Sequence, residues 1–197
     1  MTRQTIDLTR EAWLTAGQAL LRRDGLRALR LRPLAASLNI STGSFYHHFK
    51  DFETYLGQLA DYYSGEQLTA NLVRIRQSVA SPAECIRRAS ELALSEDLPR
   101  LALAMRAWAR SDERALTAVR SLDQTLIDFF QECLLAMGFD AREAATRAYL
   151  LIASSTADVE PPASLERGES LRDRVLAIIC APAVPPKPPR RGRASGG

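Results

Sequence analysis

Residues 31–56, LRPLAASLNISTGSFYHHFKDFETYL, leave the chain few ways to fold. Leu34, Ala35 and Leu38 share one side of a helical turn, and Pro33 sits in its first turn, where a missing N–H goes unneeded. Asn39 follows as the stop, because Asn tolerates the left-handed backbone with which helices commonly end. Ser41 is a suitable N-cap for a second short helix over 42–48. Ile40, Phe45 and Phe49 then recur at helical spacing and face inward. That leaves Thr42, Ser44, Tyr46, His47 and His48 outside, with Lys50 directly after them and no acid among them. A donor-rich, neutral-to-basic helix braced by the helix before it is what a helix-turn-helix presents to a DNA major groove, where carboxylates would be repelled by phosphate.

The flanking sequence is helical throughout. Among 197 residues Leu and Ala dominate and no alternating apolar–polar run marks a strand, so the expected class is all-α. Helix signals give about nine helices. Thr9 caps a first helix over 10–23, with Trp13, Ala16, Gly17, Leu20 and Leu21 as its apolar stripe and Gly25 as its end. Asp51 caps a connecting helix over 52–79, in which Gly57 and Gly65 are the places for a bend. Capping boxes at Ser81-Pro82-Ala83-Glu84 and Asp140-Ala141-Arg142-Glu143 open helices ending near 95 and 157. Asp97 and Asp112 start two more, ending at 110 and 137, and a last helix spans 169–180 before Pro182.

Charge is unevenly spread. Residues 1–60 hold eight Lys and Arg against five Asp and Glu, residues 61–181 hold fourteen against eighteen, and 182–197 hold four and no acid. Basic ends place nucleic-acid contact at the termini. The tail, rich in Pro and Gly with nothing large and apolar to pack, is expected to be disordered. No run of about 18 apolar residues suits a membrane span. The N-terminus has no apolar secretion stretch, and Cys85, Cys133 and Cys180, odd in number and far apart, suit a reducing cytoplasm. No Gly-rich phosphate loop or nucleophile pattern points to an enzyme or a cofactor. His47 and His48 lie ~100° apart around a helix and do not share a metal.

The run Asn39-Ile40-Ser41-Thr42-Gly43-Ser44-Phe45-Tyr46-His47-His48-Phe49-Lys50-Asp51, with Leu34-Ala35 before it and Glu53 and Leu56 after it, resembles the signature of tetracycline-repressor-like (TetR) transcriptional regulators. The signature covers about a quarter of the chain. The resemblance implies an N-terminal three-helix DNA-binding domain at 5–65, including the start of the connecting helix. A helical effector-binding and dimerisation domain would follow at 66–181, and the basic tail at 182–197. It further implies a homodimeric repressor of a palindromic double-stranded operator. Position for position, the DNA-binding residues are Arg32, Thr42, Gly43, Ser44, Tyr46, His47, His48 and Lys50. Arg32 suits a guanine edge or a phosphate, Thr42, Ser44 and His47 suit base edges, Tyr46 and His48 suit phosphates, and Gly43 admits backbone close to the duplex. Three positions depart from the family pattern: Asn39 where Gly is common, Phe52 where Lys is common, and Arg30 where a Thr or Ser cap is usual. Phe52 removes a phosphate contact.

Large apolar residues on the central helices, Met105, Trp108, Leu126, Phe129, Phe130, Met137 and Tyr149, are candidates to line a pocket for a small, largely apolar effector. Ordinary core packing accounts for the same residues. Ala144, Ala148, Leu151 and Ile152, with Leu171, Val175 and Ile178, form two stripes suited to a two-fold helical interface or to closing the chain's own core. The rival reading is a helical small-molecule-binding protein whose DNA binding has weakened or been lost; Phe52 and Arg30 favour it.

Overall fold

The computed structural model describes residues 9–157, 159 and 170–182, so the tail after Pro182 lies outside the described residues. All its regular elements are helices. They run α1 (Arg10–Asp24), a 3₁₀ turn (Leu26–Ala28), α2 (Leu31–Ser37), α3 (Thr42–Phe45), α4 (Phe52–Tyr63) and α5 (Glu66–Ser78). After these come α6 (Pro82–Ser95), α7 (Leu98–Ala109), α8 (Glu113–Ala136), α9 (Ala141–Ser155) and α10 (Leu171–Cys180). This is the expected order, with the connecting helix divided in two at Ser64–Gly65. A Cβ at Gly65 would lie 3.3 Å from the Asp61 carbonyl oxygen and 3.4 Å from that of Tyr62, so the tight break there favours glycine.

Side-chain caps start many of the helices. Thr9 Oγ1 accepts from the Ala12 N–H (3.2 Å), Asp51 from Thr54 (2.7 Å), Asp112 from Arg114 (2.9 Å), Asp140 from Glu143 (2.8 Å) and Ser170 from Asp173 (3.2 Å). The two reciprocal boxes do not form. Ser81 makes no side-chain cap, and Glu84 is drawn instead to Arg87 and Arg88. Glu143 likewise pairs forward with Arg147 (2.7 Å). In both cases an arginine one turn on outcompetes a neutral backbone donor.

The helices enclose two hydrophobic cores. The first joins α1 to α4 with α7 and the start of α8: Trp13, Leu34, Phe45, Tyr55 and Leu59 pack with Leu101, Met105, Trp108 and Ala115. Fully burying one large apolar side chain contributes roughly 1.5–3 kcal/mol. The second core lies between α5, α6, the later part of α8, α9 and α10, and holds Leu72, Ile86, Phe129, Phe130, Leu134, Ala144 and Ala148. The apolar packing therefore does not divide where the chain was expected to, at residue 65, because α7 packs on α1. α8, 24 residues long, is common to both cores.

Two arginines hold the second half together. Arg106 forks onto Asp123 at 2.8 and 2.7 Å, between α7 and α8. Arg147 Nη1 donates to the carbonyls of Ile178, Ile179 and Ala181 (3.0, 2.6 and 2.8 Å) and its guanidinium lies 4.2 Å from the centre of the Phe139 ring. A cation at the C-terminal end of α10 offsets its dipole and fixes that helix against α9.

Candidate nucleic-acid interface

The turn between α2 and α3 is built as its residues dictate. Leu34 and Ala35 are buried, and after Leu38 the chain turns back through Asn39 at φ 54°, with the Ile40 N–H donating to the Ala35 carbonyl (3.1 Å). Asn thus adopts the left-handed conformation that glycine would take at less cost. Ser41 holds the N-cap position without capping; its Oγ lies 3.5 Å from that of Ser44.

α3 itself is shorter than expected, Thr42–Phe45 rather than 42–48. The N–H groups of Tyr46, His47 and His48 donate to carbonyls three residues back, so the helix tightens into 3₁₀-type turns before Phe49. Such a short helix cannot stand alone in water. It is held by Phe45 and Phe49, 0 % and 2 % exposed, whose rings lie 5.0 Å apart and pack on Trp13 and Tyr55. The Tyr55 hydroxyl donates to the Trp13 carbonyl (3.0 Å), and burial raises its pKa.

What this core leaves outside is the candidate face. Arg32, Thr42, Gly43, Tyr46, His47 and Lys50 are exposed. Ser44 is half-buried, and so is His48, whose ring lies near those of Trp13 and Phe49 (6.5 and 6.4 Å). Between Asp24 and Asp51 there is no carboxylate, against four cations at Arg27, Arg30, Arg32 and Lys50. Gly43 has no internal reason to be glycine: a Cβ there would meet only Ser41 Oγ, at an ordinary 3.6 Å. Asp51 ends the face. Its carboxyl is held below the ordinary range chiefly by the Thr54 backbone N–H.

Of the three departures, Asn39 takes the left-handed turn described above, and the other two are placed as follows. Phe52 stacks on Tyr55 (5.4 Å) and lies 6.0 Å from Phe45, so it extends the aromatic core where a lysine would reach outward. Arg30 occupies the N-cap of α2 without a side-chain cap.

Two contributors were not legible in the sequence. Arg10 Nη2 donates to the His48 carbonyl (3.0 Å) and its guanidinium lies 5.6 Å from the centre of the Phe49 ring, tying α1 to the end of the reading turn across 38 residues. Arg114, at the start of α8, donates to the carbonyl and carboxylate of Glu53 (both 3.0 Å) and to Asp112 (2.7 Å). The same arginine holds the Asp112 carboxyl down to about 2. It fastens the first turn of α4 to the body. Neither pairing has a local signal, since an exposed arginine in a helix pattern reads as solvated surface. Arg10→Ala is expected to cost about 0.5–1.5 kcal/mol and to speed amide exchange at residues 46–50. Unchanged protection there would count against the tie.

The other expected sites come apart. Met105 and Trp108 (0 % and 2 % exposed) belong to the first core, Phe129 and Phe130 to the second, Leu126 and Met137 are half-buried beside it, and Tyr149 is 63 % exposed. They do not surround one cavity. Helical spacing says that such residues face inward; here two fill the first core, four fill or flank the second, and Tyr149 faces solvent. Ala144, Ala148, Leu151 and Ile152 are also buried within this chain's own core, and Val175 is half-buried. Of the expected interface residues Leu171 (41 %) and Ile178 (68 %) stay exposed, and Tyr149 and Leu150 (50 %) on α9 join them as apolar surface.

A two-helix reader braced by α1 and carried on a helical body is a helix-turn-helix DNA-binding domain joined to a larger helical unit. Residues 14–53 match the family model for bacterial regulatory proteins of the tetR family. Most of the chain is similar in fold to solved regulators: a TetR transcriptional regulator from Legionella pneumophila (20 % identity, 78 % of this chain and 86 % of that one, TM-score 0.68) and a transcriptional regulator from Rhodococcus sp. Rha1 (23 %, 88 % and 94 %, 0.68). Escherichia coli NemR in its reduced form is similar too (18 %, 86 % and 94 %, 0.66). No curated protein matches. Residues 14–53 thus match the tetR-family DNA-binding segment, and the helical body around them shares its fold with solved regulators.

Proposed function

We propose that this protein is a ligand-responsive repressor that binds a palindromic operator as a homodimer in the cytoplasm. The observation that carries the reading is the surface from Arg32 to Lys50: exposed donors, no carboxylate, and a glycine that the fold itself does not require. Phosphate contacts from Arg32, Tyr46, His48 and Lys50 would seat the reader, and Thr42, Ser44 and His47 would meet base edges. Two copies joined through the exposed apolar face of α9 and α10 are required to hold their readers one helical turn of DNA apart, about 34 Å, to meet both half-sites. A ligand that prefers a differently spaced pair of readers lowers operator affinity, and DNA lowers ligand affinity by the same factor. Arg114 would carry the movement, since it fastens the body to the first turn of α4.

Gly43→Ala tests this directly. A helix gains up to about 1 kcal/mol from the exchange, and the chain has room for the methyl. Thermal stability should therefore rise or hold while duplex affinity falls about tenfold. Unchanged affinity for a duplex recovered by selection from random sequence, or recovery of no palindrome, would overturn the proposal. Ile178→Asp is expected to yield monomers in sedimentation and to weaken operator binding with it. The rival reading, a small-molecule binder without DNA function, requires the absence of a steep fall in duplex affinity with salt.

A further inference from the structure

The break at Ser64–Gly65 has a consequence on the far side of α4. Before it, α4 packs along α8; after it, α5 packs on α6. α5 uses Leu68, Leu72 and Ile75 for that contact, and its opposite stripe, Thr69, Val73 and Arg74, stands off from α8. A cavity of about 740 Å³ remains, open to solvent and walled on the α8 side by Ser121 and Thr125. It is a surface groove rather than an enclosed chamber, and none of the residues expected to line an effector pocket borders it.

The walls differ in chemistry from the apolar site that the sequence suggested. Val73, 48 % exposed, supplies apolar surface, Ser64, Thr69, Ser121 and Thr125 supply hydroxyls, and among the described side chains no carboxylate lines the cleft. Arg74 supplies the charge. Its guanidinium meets only neutral groups, the Asn71 side chain and the Ala70 carbonyl, and among the described residues it pairs with no acid. Arg76, two residues on, pairs with Glu132. An arginine left uncompensated above an apolar strip and a row of hydroxyls suits a carboxylate head on an apolar body, because the guanidinium fork matches a carboxylate with two donors.

We infer that the cleft between α5 and α8 binds a small organic carboxylate, with Arg74 at its head group and Val73 beneath its apolar part. The inference deepens the ligand-responsive reading above and rests on it for its regulatory meaning. A ligand there would bridge α5 to α8 across the break that follows α4, the helix that leads out of the DNA reader.

The test uses the full chain without DNA and four probes: octanoate, 1-naphthoate, octanamide and octylammonium, titrated by calorimetry. At least one carboxylate is expected to bind, tenfold or more tighter than the amide and the ammonium. Arg74→Gln, at an exposed position that should not disturb folding, should erase that preference while leaving the amide unchanged. Thr125→Trp should exclude every probe, and a photoreactive diazirine analogue of the bound carboxylate should label residues 64–74 and 121–125. Binding of neither carboxylate, equal binding of all head groups, indifference to Arg74→Gln, or labelling elsewhere would overturn the inference. So would conversion of a dimer to monomers by Thr125→Trp, which would make the cleft a subunit contact. Because DNA is absent, a chain that binds the carboxylate but no duplex would sink the repressor reading and leave the site standing.

Discussion

Phe45→Ala is expected to destabilise the protein by about 3–5 kcal/mol and to abolish DNA binding even well below the melting temperature. Phe45 is fully buried and its ring lies 5.0–6.0 Å from those of Trp13, Tyr46, Phe49, Phe52 and Tyr55. Those partners come from α1, from the reading segment and from α4, so no single neighbour can close the hole. Removing the ring leaves a cavity in a part of the molecule where the helix concerned has only four residues. A helix that short has no cooperative stability of its own, so the reader would lose its shape before the rest of the chain unfolds. At about 2–4 °C per kcal/mol for a chain of this size, the melting temperature should fall by roughly 10 °C. A loss under about 1 kcal/mol in a urea titration would show that the aromatic cluster is not what holds the reader.

Gly17→Ala should go against helix propensity. In the middle of α1 the exchange by itself would stabilise by about 1 kcal/mol. A Cβ at this position, however, would lie 1.9 Å from the Tyr55 hydroxyl and 3.1 Å from Leu59 Cδ2. The hydroxyl ends a rigid, buried ring and donates to the Trp13 carbonyl, so the ring cannot step aside without giving up that bond. Overpacking of this kind costs about 1–3 kcal/mol and a lost hydrogen bond about 1 more. The net expectation is a destabilisation of about 2 kcal/mol, with overpacking outweighing propensity. Tyr55→Phe removes the clashing atom, so the double variant should be less destabilised than the sum of the two single ones; strict additivity would refute the proposed clash. Gly57→Ala is the control. There a Cβ would meet only Arg114 Cδ at 3.8 Å, and the exchange should be neutral or stabilising.

These variants separate what could be read along the chain from what could not. Asn39 at a helix stop, Phe45 and Phe49 at inward spacing, and Asp51 as a cap are local statements, and the backbone and burial agree with them. The connecting helix divides at Gly65, one of the two glycines in it that disfavour a continuous helix. The reciprocal half of each capping box is missing for a reason still close by in sequence: arginines one turn on took Glu84 and Glu143. Tyr149, Met105 and Ala148 show the limit of periodicity. Each sits on a recognisable stripe, yet one faces solvent, one lies under the DNA reader and one closes the second core.

The sequence by itself determined the helices, most of their ends, and a reading segment whose polar face is free of acids, because each follows from spacing and backbone preference within a few residues. Only the tertiary structure decided which helices share a core, that Arg10 and Arg114 tie the reader to α1 and α8, and that a cleft opens between α5 and α8. A helical pattern specifies that a face is turned inward. Which neighbour meets it, and whether that neighbour fills the space, depends on packing between residues far apart in the chain.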